Sequence, residues 1–205
     1  MTGINEARGH ETRATSLGPA LARIAGAWIV SAAGYYFLLP LLGLRSGYNA
    51  EPIAIALYYA AWVSVTLAAF WPLYRSWPTR ESPVLTHAIL IGLLGGIVLF
   101  AVHGLPILPR VVWTESWEAP ELMKVTSWYF VPKAVEIFFQ QLLVAALVLV
   151  LASSGYAIWS ISLICAGLFG GMHVLLALGG MPSAYVIRFV AAASVFGFVF
   201  PRLLL

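Results

Sequence analysis

Long apolar runs recur along this chain, and they constrain its fold more than any other feature. Each run is about twenty residues long, the length at which a helix spans the hydrocarbon core of a bilayer. The runs lack the alternation of barrel strands, and only helices and closed barrels satisfy their backbone groups in lipid. Of the 205 residues, 61% are hydrophobic and 9% are charged, whereas about a quarter are charged in soluble domains. The sequence therefore predicts an all-α, polytopic membrane protein.

Six transmembrane helices are predicted, preceded by a polar tail. Residues 1–20 lack the apolar core of a signal peptide, and we interpret them as that tail. Residues 21–205 are predicted to form a single transmembrane domain. The predicted spans are residues 21–44, 53–73, 84–102, 131–151, 157–178 and 184–200. Basic residues in the loops are slightly more frequent on the side of the N-terminus, which is therefore predicted to be cytoplasmic.

The charge distribution indicates the class of partner. The net charge of +3 arises from 11 Lys and Arg residues against 8 acidic residues, and these charges are scattered over the loops. This pattern favours anionic lipid headgroups, and no basic tract with interleaved aromatic residues indicates nucleic acid. Membrane lipids are the predicted partners.

The run at residues 131–151 carries a polar face and is predicted to be the helix around which the others are arranged. Lys133, Glu136 and Gln140 are spaced three and four residues apart, so they share one side of a helix. A carboxylate at bilayer depth costs roughly 2.5–3.5 kcal/mol unless it meets a partner or a cavity. We therefore expect Glu136 to meet a partner or to line a site.

Ionisable residues from four predicted spans are expected at one depth. Glu136 lies near the start of the fourth span and Arg188 near the start of the sixth, whereas His103 and His173 lie near the ends of the third and fifth. Because successive spans run in opposite directions, these residues reach the same leaflet. An intramembrane ionisable cluster predicts a functional site. A structural ion pair of Glu136 with Arg188 or Lys133 is the alternative.

Two pairs of glycines are spaced for close helix packing. Gly92 and Gly96 lie in the third predicted span, and Gly167 and Gly171 lie in the fifth. Glycines four residues apart strip one helix face of side chains and let another backbone approach. Both pairs are predicted to pack helices, either within the protein or against a membrane partner.

Two short motifs resemble those of the CPBP family, the CAAX-protease and bacteriocin-processing intramembrane proteases. That family carries two adjacent glutamates followed four residues later by an arginine, and then a phenylalanine four residues before a histidine on the next helix. Here Glu136 matches the second glutamate, and Phe169 and His173 match the second motif. The resemblance covers residues 130–200 and implies a CPBP-like helical core. It also implies that Glu136 and His173 are the catalytic pair if the protein is active, supported by Gln140 and Arg188.

The chain departs from the family pattern at two positions of the first motif. Val135 occupies the place of the first glutamate, and Gln140 occupies that of the arginine. The family's third motif, a histidine four residues before an asparagine or a similar pattern on a later helix, has no counterpart up to Leu205. In the family the first glutamate is thought to activate water, and a valine has no group that accepts a proton. The resemblance therefore implies the fold more directly than the activity.

No metal or other cofactor is predicted. The chain has no Asp, a single Cys and no HExxH motif, and His103, His173 and Glu136 are the only residues expected to converge. Zinc takes three or four such protein ligands in a defined geometry. We therefore predict no metal site.

Three hypotheses about function remain open. The first is an accessory or structural membrane subunit with a degenerate, non-catalytic CPBP-like core that packs against larger membrane partners. The second is an active CPBP-type peptidase acting on hydrophobic or prenylated peptides. The third is a membrane protein that binds pigment, quinone or lipid, which is suggested by the 14% aromatic content.

Overall fold

The computed structural model describes residues 17–44, 48, 50–76, 127–179 and 182–205, and within these residues all regular structure is helical. The elements in chain order are α1 (Leu17–Ala33), a π-helical turn (Gly34–Leu38), α2 (Leu39–Leu41), α3 (Pro52–Arg75), α4 (Ser127–Ser153), α5 (Ile158–Met172), a 3-10 helix (His173–Gly179) and α6 (Ser183–Leu204).

Five of the described helical stretches are long and apolar enough to cross a membrane, which confirms the predicted all-α, multi-pass fold class. They are Leu17–Leu41, Pro52–Arg75, Trp128–Ser153, Ile158–Ala177 and Ser183–Leu204. They correspond to the first, second, fourth, fifth and sixth predicted spans. The third predicted span, with Gly92, Gly96 and His103, lies outside the described residues. So do residues 1–16, and the orientation of the N-terminus stays a prediction.

Helix α4 is the central helix of the described bundle. Within its most apolar 18-residue window 61% of the residues are buried, against 22–33% in the other four spans. It packs against α1, α3, α5 and α6, and every residue from 143 to 151 is buried. Lipid also accommodates a helix that is apolar on all sides, so it is the extent of burial that distinguishes α4 from the other spans. Residues 143–151 therefore form the centre of the described bundle.

Helices α5 and α6 form an antiparallel pair that two glycines hold together. A Cβ at Gly197 would lie 2.6 Å from the carbonyl oxygen of Cys165 and 2.9 Å from the Cα of Ala166, so only glycine fits there. A Cβ at Gly170 would meet the Ser194 hydroxyl and lie 3.3 Å from the Ser194 Cα. The two backbones therefore touch at two levels, as small residues permit in membrane helices.

The glycines predicted to pack α5 are not the ones that contact α6. Gly167 and Gly171 are exposed, and no described atom lies within 4 Å of a Cβ built at either position. Gly170 is one residue from Gly171, which turns it by about 100° around the helix. The packing face is therefore offset from the predicted one, because the spacing of glycines does not specify how the helix is rotated against its neighbours.

The π-helical turn interrupts the first span next to a proline. The N–H of Leu39 donates to the carbonyl of Gly34, five residues earlier, whereas an α-helix bonds at four. Pro40 has no N–H to donate, and its ring clashes with the carbonyl four residues before it. The wider turn accommodates the proline, and Tyr35 from this turn is buried in the bundle.

Candidate functional site

The carboxylate of Glu136 is buried and accepts three hydrogen bonds. The Tyr48 hydroxyl and the Lys133 ammonium each donate to Oε2 at 2.6 Å, and the Gln140 amide donates to Oε1 at 2.9 Å. The side chain of Glu136 is only 11% exposed. Lys133 and Gln140 lie on the face of α4 that their spacing predicts, one turn before and after Glu136. Of the two predicted ion-pair partners of Glu136, it is Lys133 that forms the pair.

Tyr48 joins this cluster from the segment between the first two spans. Burial and the neighbouring Glu136 carboxylate both raise the pKa of the Tyr48 phenol, so the hydroxyl stays protonated and donates. The Lys133 nitrogen also lies 5.1 Å from the centre of the Tyr48 ring, within the range of a cation–π interaction. The Lys133 ammonium is therefore held by a carboxylate on one side and by an aromatic face on another.

Four tyrosines form a nest around the Glu136 cluster, and we call this group the tyrosine nest. The Tyr48 ring lies 5.8 Å from that of Tyr35 and 5.6 Å from that of Tyr129, and Tyr35 stacks on Tyr59 at 6.0 Å. Tyr35 belongs to the π-helical turn and Tyr48 to the segment that follows α2, whereas Tyr59 belongs to α3 and Tyr129 to α4. The nest fixes the position of the phenol that bonds Glu136.

Sequence reasoning missed Tyr48 and the tyrosine nest. A usable signal was present, because Tyr35 lies near the end of the first predicted span and Tyr59 and Tyr129 lie near the starts of the second and fourth. Because successive spans run in opposite directions, these phenols are expected at the depth predicted for Glu136.

His173 begins the 3-10 helix after α5 and has a defined tautomer. Its Nδ1 lies 2.7 Å from the carbonyl oxygen of Phe169. Because a carbonyl only accepts, Nδ1 carries a proton, and in the neutral ring Nε2 is left as the acceptor. The imidazole stacks on Phe189 at 6.4 Å and meets the edge of Phe169 at 5.3 Å. Phe169 and His173, the two residues of the second motif, are therefore in contact.

The two residues predicted as a catalytic pair are not hydrogen-bonded to each other. None of the hydrogen bonds of Glu136 within the described residues comes from His173. Their role as a pair stays a prediction.

The other two predicted site residues differ in their relation to Glu136. Gln140 donates to its carboxylate, whereas the three described donors to Glu136 do not include Arg188. Arg188 precedes Phe189 on α6, and the Phe189 ring stacks on His173. His103, the fourth predicted member of the cluster, lies outside the described residues.

The described part of the chain holds no group of three or more His, Cys, Asp or Glu side chains that could ligate a metal. Cys165 is buried where α5 meets α6. The absence of a metal or other cofactor stays a prediction. A comparison with protein-family models finds no match, and neither the curated proteins nor the solved structures contain one that matches this chain.

Proposed function

We propose that this multi-pass membrane protein is a non-catalytic accessory or structural subunit, with a CPBP-like core that packs against larger membrane partners. The observation that carries this proposal is the engagement of Glu136 by Tyr48, Lys133 and Gln140. A general base must hold water at about 2.6–3.2 Å, and on Oε2 those positions are taken by a phenol and an ammonium. Glu136 thus joins α4 to the segment between the first two spans.

The substitutions in the first motif support the same proposal. Val135 is half-buried and packs against the core, so hydrocarbon stands where the family carries its first acid. Gln140 donates one hydrogen bond to Glu136 and carries no charge, whereas an arginine at that position would supply a charged, bidentate fork. Both changes remove groups that a hydrolytic reaction requires and keep the helix packed.

A face of α5 supports the partner role. Gly167 and Gly171 are exposed there, and Leu163, on the same side of the helix one turn earlier, is 62% exposed. Glycines four residues apart let a helix of another protein approach closely in lipid. This face is not used in packing between the described helices, and we propose it as the surface for the partner.

Co-purification tests the proposal. The tagged protein is extracted from its native membrane in mild detergent, and the mass of the complex is measured. We expect a co-purifying membrane protein that is lost in the Gly167→Leu/Gly171→Leu variant. Gly18→Leu is the matched control, because Gly18 is also exposed and has no described atom within 4 Å of a built Cβ. A wild-type protein that purifies as a free monomer contradicts the proposal.

An active peptidase is the second candidate, and His173 is the observation that favours it. Its Nε2 is left as an acceptor by the bond of Nδ1 to Phe169. In an active enzyme, Glu136→Gln and His173→Ala would each abolish cleavage of a hydrophobic or prenylated peptide. We expect no cleavage by the wild type, and turnover that both substitutions abolish would overturn the non-catalytic proposal.

A further inference from the structure

The Lys133 ammonium occupies a site whose chemistry suits organic ammonium ions in general. It is 2.6 Å from the Glu136 carboxylate and 5.1 Å from the centre of the Tyr48 ring. A carboxylate combined with the electron-rich face of an aromatic ring is the arrangement by which proteins recognise alkylammonium groups. Tyr35 and Tyr129 pack against Tyr48 and hold its ring in place.

The site lies near one end of a helix that is long and apolar enough to cross a membrane. Lys133 is the sixth residue of the span Trp128–Ser153, which places it about 8 Å along the helix axis from the start of that span. Its side chain is 24% exposed, more than twice the 11% of Glu136. A lysine so placed can withdraw its ammonium toward the headgroups while its methylene chain stays in apolar surroundings.

We propose that Glu136 and Tyr48 form a binding site for the ammonium group of a zwitterionic phospholipid, with Lys133 as the internal ligand that fills it between binding events. The lipid ammonium takes the place of the lysine between the carboxylate and the ring. The displaced Lys133 ammonium then pairs with the phosphate of the same headgroup, which lies a few bonds away from its ammonium. Both charges of the headgroup are matched in this way, whereas phosphatidylglycerol offers no ammonium for Glu136.

Carbodiimide labelling tests the site. A hydrophobic carbodiimide modifies protonated carboxyl groups that it reaches from the bilayer, and peptide mass spectrometry locates the adduct. In nanodiscs of phosphatidylglycerol, Lys133→Met leaves Glu136 without its counter-charge, and we expect labelling there to rise over wild type. Adding phosphatidylethanolamine is expected to reduce that labelling about tenfold. Equal labelling in both lipid mixtures overturns the proposal.

Soluble tetramethylammonium distinguishes the source of the ammonium group. Protection by phosphatidylethanolamine alone indicates a site that takes the ammonium group only as part of a lipid. Protection by both indicates that the ammonium group suffices, and the site then also takes small free ammonium ions. Protection by tetramethylammonium alone overturns the assignment to a lipid.

A second experiment does not need the Lys133→Met variant, and it tests the proposal even if that variant does not fold. It measures which lipids the wild type retains. The protein is reconstituted with equal amounts of phosphatidylglycerol and phosphatidylethanolamine, and the retained lipids are identified by native mass spectrometry. We expect an excess of phosphatidylethanolamine on the wild type that Glu136→Gln abolishes. Glu51→Gln, which changes a carboxylate outside the cluster, should keep the excess. Equal retention by wild type and Glu136→Gln overturns the proposal.

Discussion

At the scale of single residues, a carboxylate in the membrane is stabilised by three donors of different origin. Lys133 and Gln140 belong to the same helix as Glu136, so their hydrogen bonds form as soon as α4 forms. Tyr48 reaches the carboxylate from 88 residues away in the chain, so its bond depends on the tertiary fold. The cluster therefore combines a local ion pair with one long-range anchor.

Replacing only Lys133 of the ion pair should destabilise the protein more than replacing both Lys133 and Glu136. Lys133→Met leaves a buried charge without its partner. We expect the free energy of unfolding in mixed micelles to fall by about 3 kcal/mol. Glu136→Gln removes the charge at nearly constant shape and should cost less. The double variant Lys133→Met/Glu136→Gln should recover most of the loss of Lys133→Met. A double variant as unstable as Lys133→Met would show that the pair is not coupled.

Tyr48→Phe removes the long-range hydrogen bond to Glu136, and the resulting loss of unfolding free energy should depend on pH. A hydrogen bond to a charged group contributes about 1.5–3 kcal/mol, which we expect as the loss of unfolding free energy at pH 8. The fold raises the pKa of the Tyr48 phenol above its ordinary value of 10.0. The contribution is therefore complete below pH 10 and falls as pH rises, because the unfolded chain ionises there while the folded chain does not.

The measurement is the difference in unfolding free energy between wild type and Tyr48→Phe at pH 8 and at pH 11. The difference should shrink at the higher pH. Tyr156→Phe is the control, since Tyr156 is 41% exposed between α4 and α5 and should show a small difference at both values. A loss for Tyr48→Phe that does not change with pH would contradict the raised pKa of the Tyr48 phenol in the folded protein.

At the scale of elements, the contact of α5 with α6 depends on which glycine faces the neighbour. Gly197→Ala would place a Cβ against backbone atoms of Cys165 and Ala166, which cannot move aside as a flexible side chain can. We expect a loss of about 1–3 kcal/mol in unfolding free energy from this overpacking. Gly171→Ala, the matched control on the exposed face, should lie within about 0.5 kcal/mol of wild type. Equal effects would indicate that α5 is rotated relative to the described contact.

The π-helical turn is the second feature that belongs to the scale of elements. Gly34 has no Cβ where the hydroxyl of Tyr58 stands, and that hydroxyl donates to the carbonyl of Ser31 at 2.6 Å. A hydrogen bond from α3 therefore reaches the first span three residues before the π-helical turn begins. Its wider geometry carries Tyr35 into the tyrosine nest, so a local irregularity in the first span contributes to the site.

At the scale of the whole molecule, the stability of the bundle is concentrated in α4. Leu143 is fully buried at 0% exposure, whereas Leu163 on α5 is 62% exposed. We expect Leu143→Ala to lower the unfolding free energy by about 2–5 kcal/mol, because a cavity forms in the core. Leu163→Ala removes a side chain that faces outward and should have little effect. Similar losses at both positions would contradict the central place of α4.

The membrane fold and the face shared by Lys133, Glu136 and Gln140 followed from sequence, because both depend on relations within a helix. Run length determines whether a helix spans a bilayer, and spacings of three and four residues place side chains together whatever the neighbours are. The common depth of Glu136 and His173 stays a prediction that rests on the alternating direction of the spans.

Other features were decided by the tertiary structure alone. Tyr48 as the third donor, Gly170 and Gly197 as the packing glycines, and the entry of Tyr35 into the nest all depend on how one helix is rotated and shifted against another. If α5 rotates by about 100° about its axis, Gly170 faces the neighbouring helix in place of Gly171, although the sequence pattern is the same. Periodicity specifies which residues share a face, and close packing between helices selects which face is used.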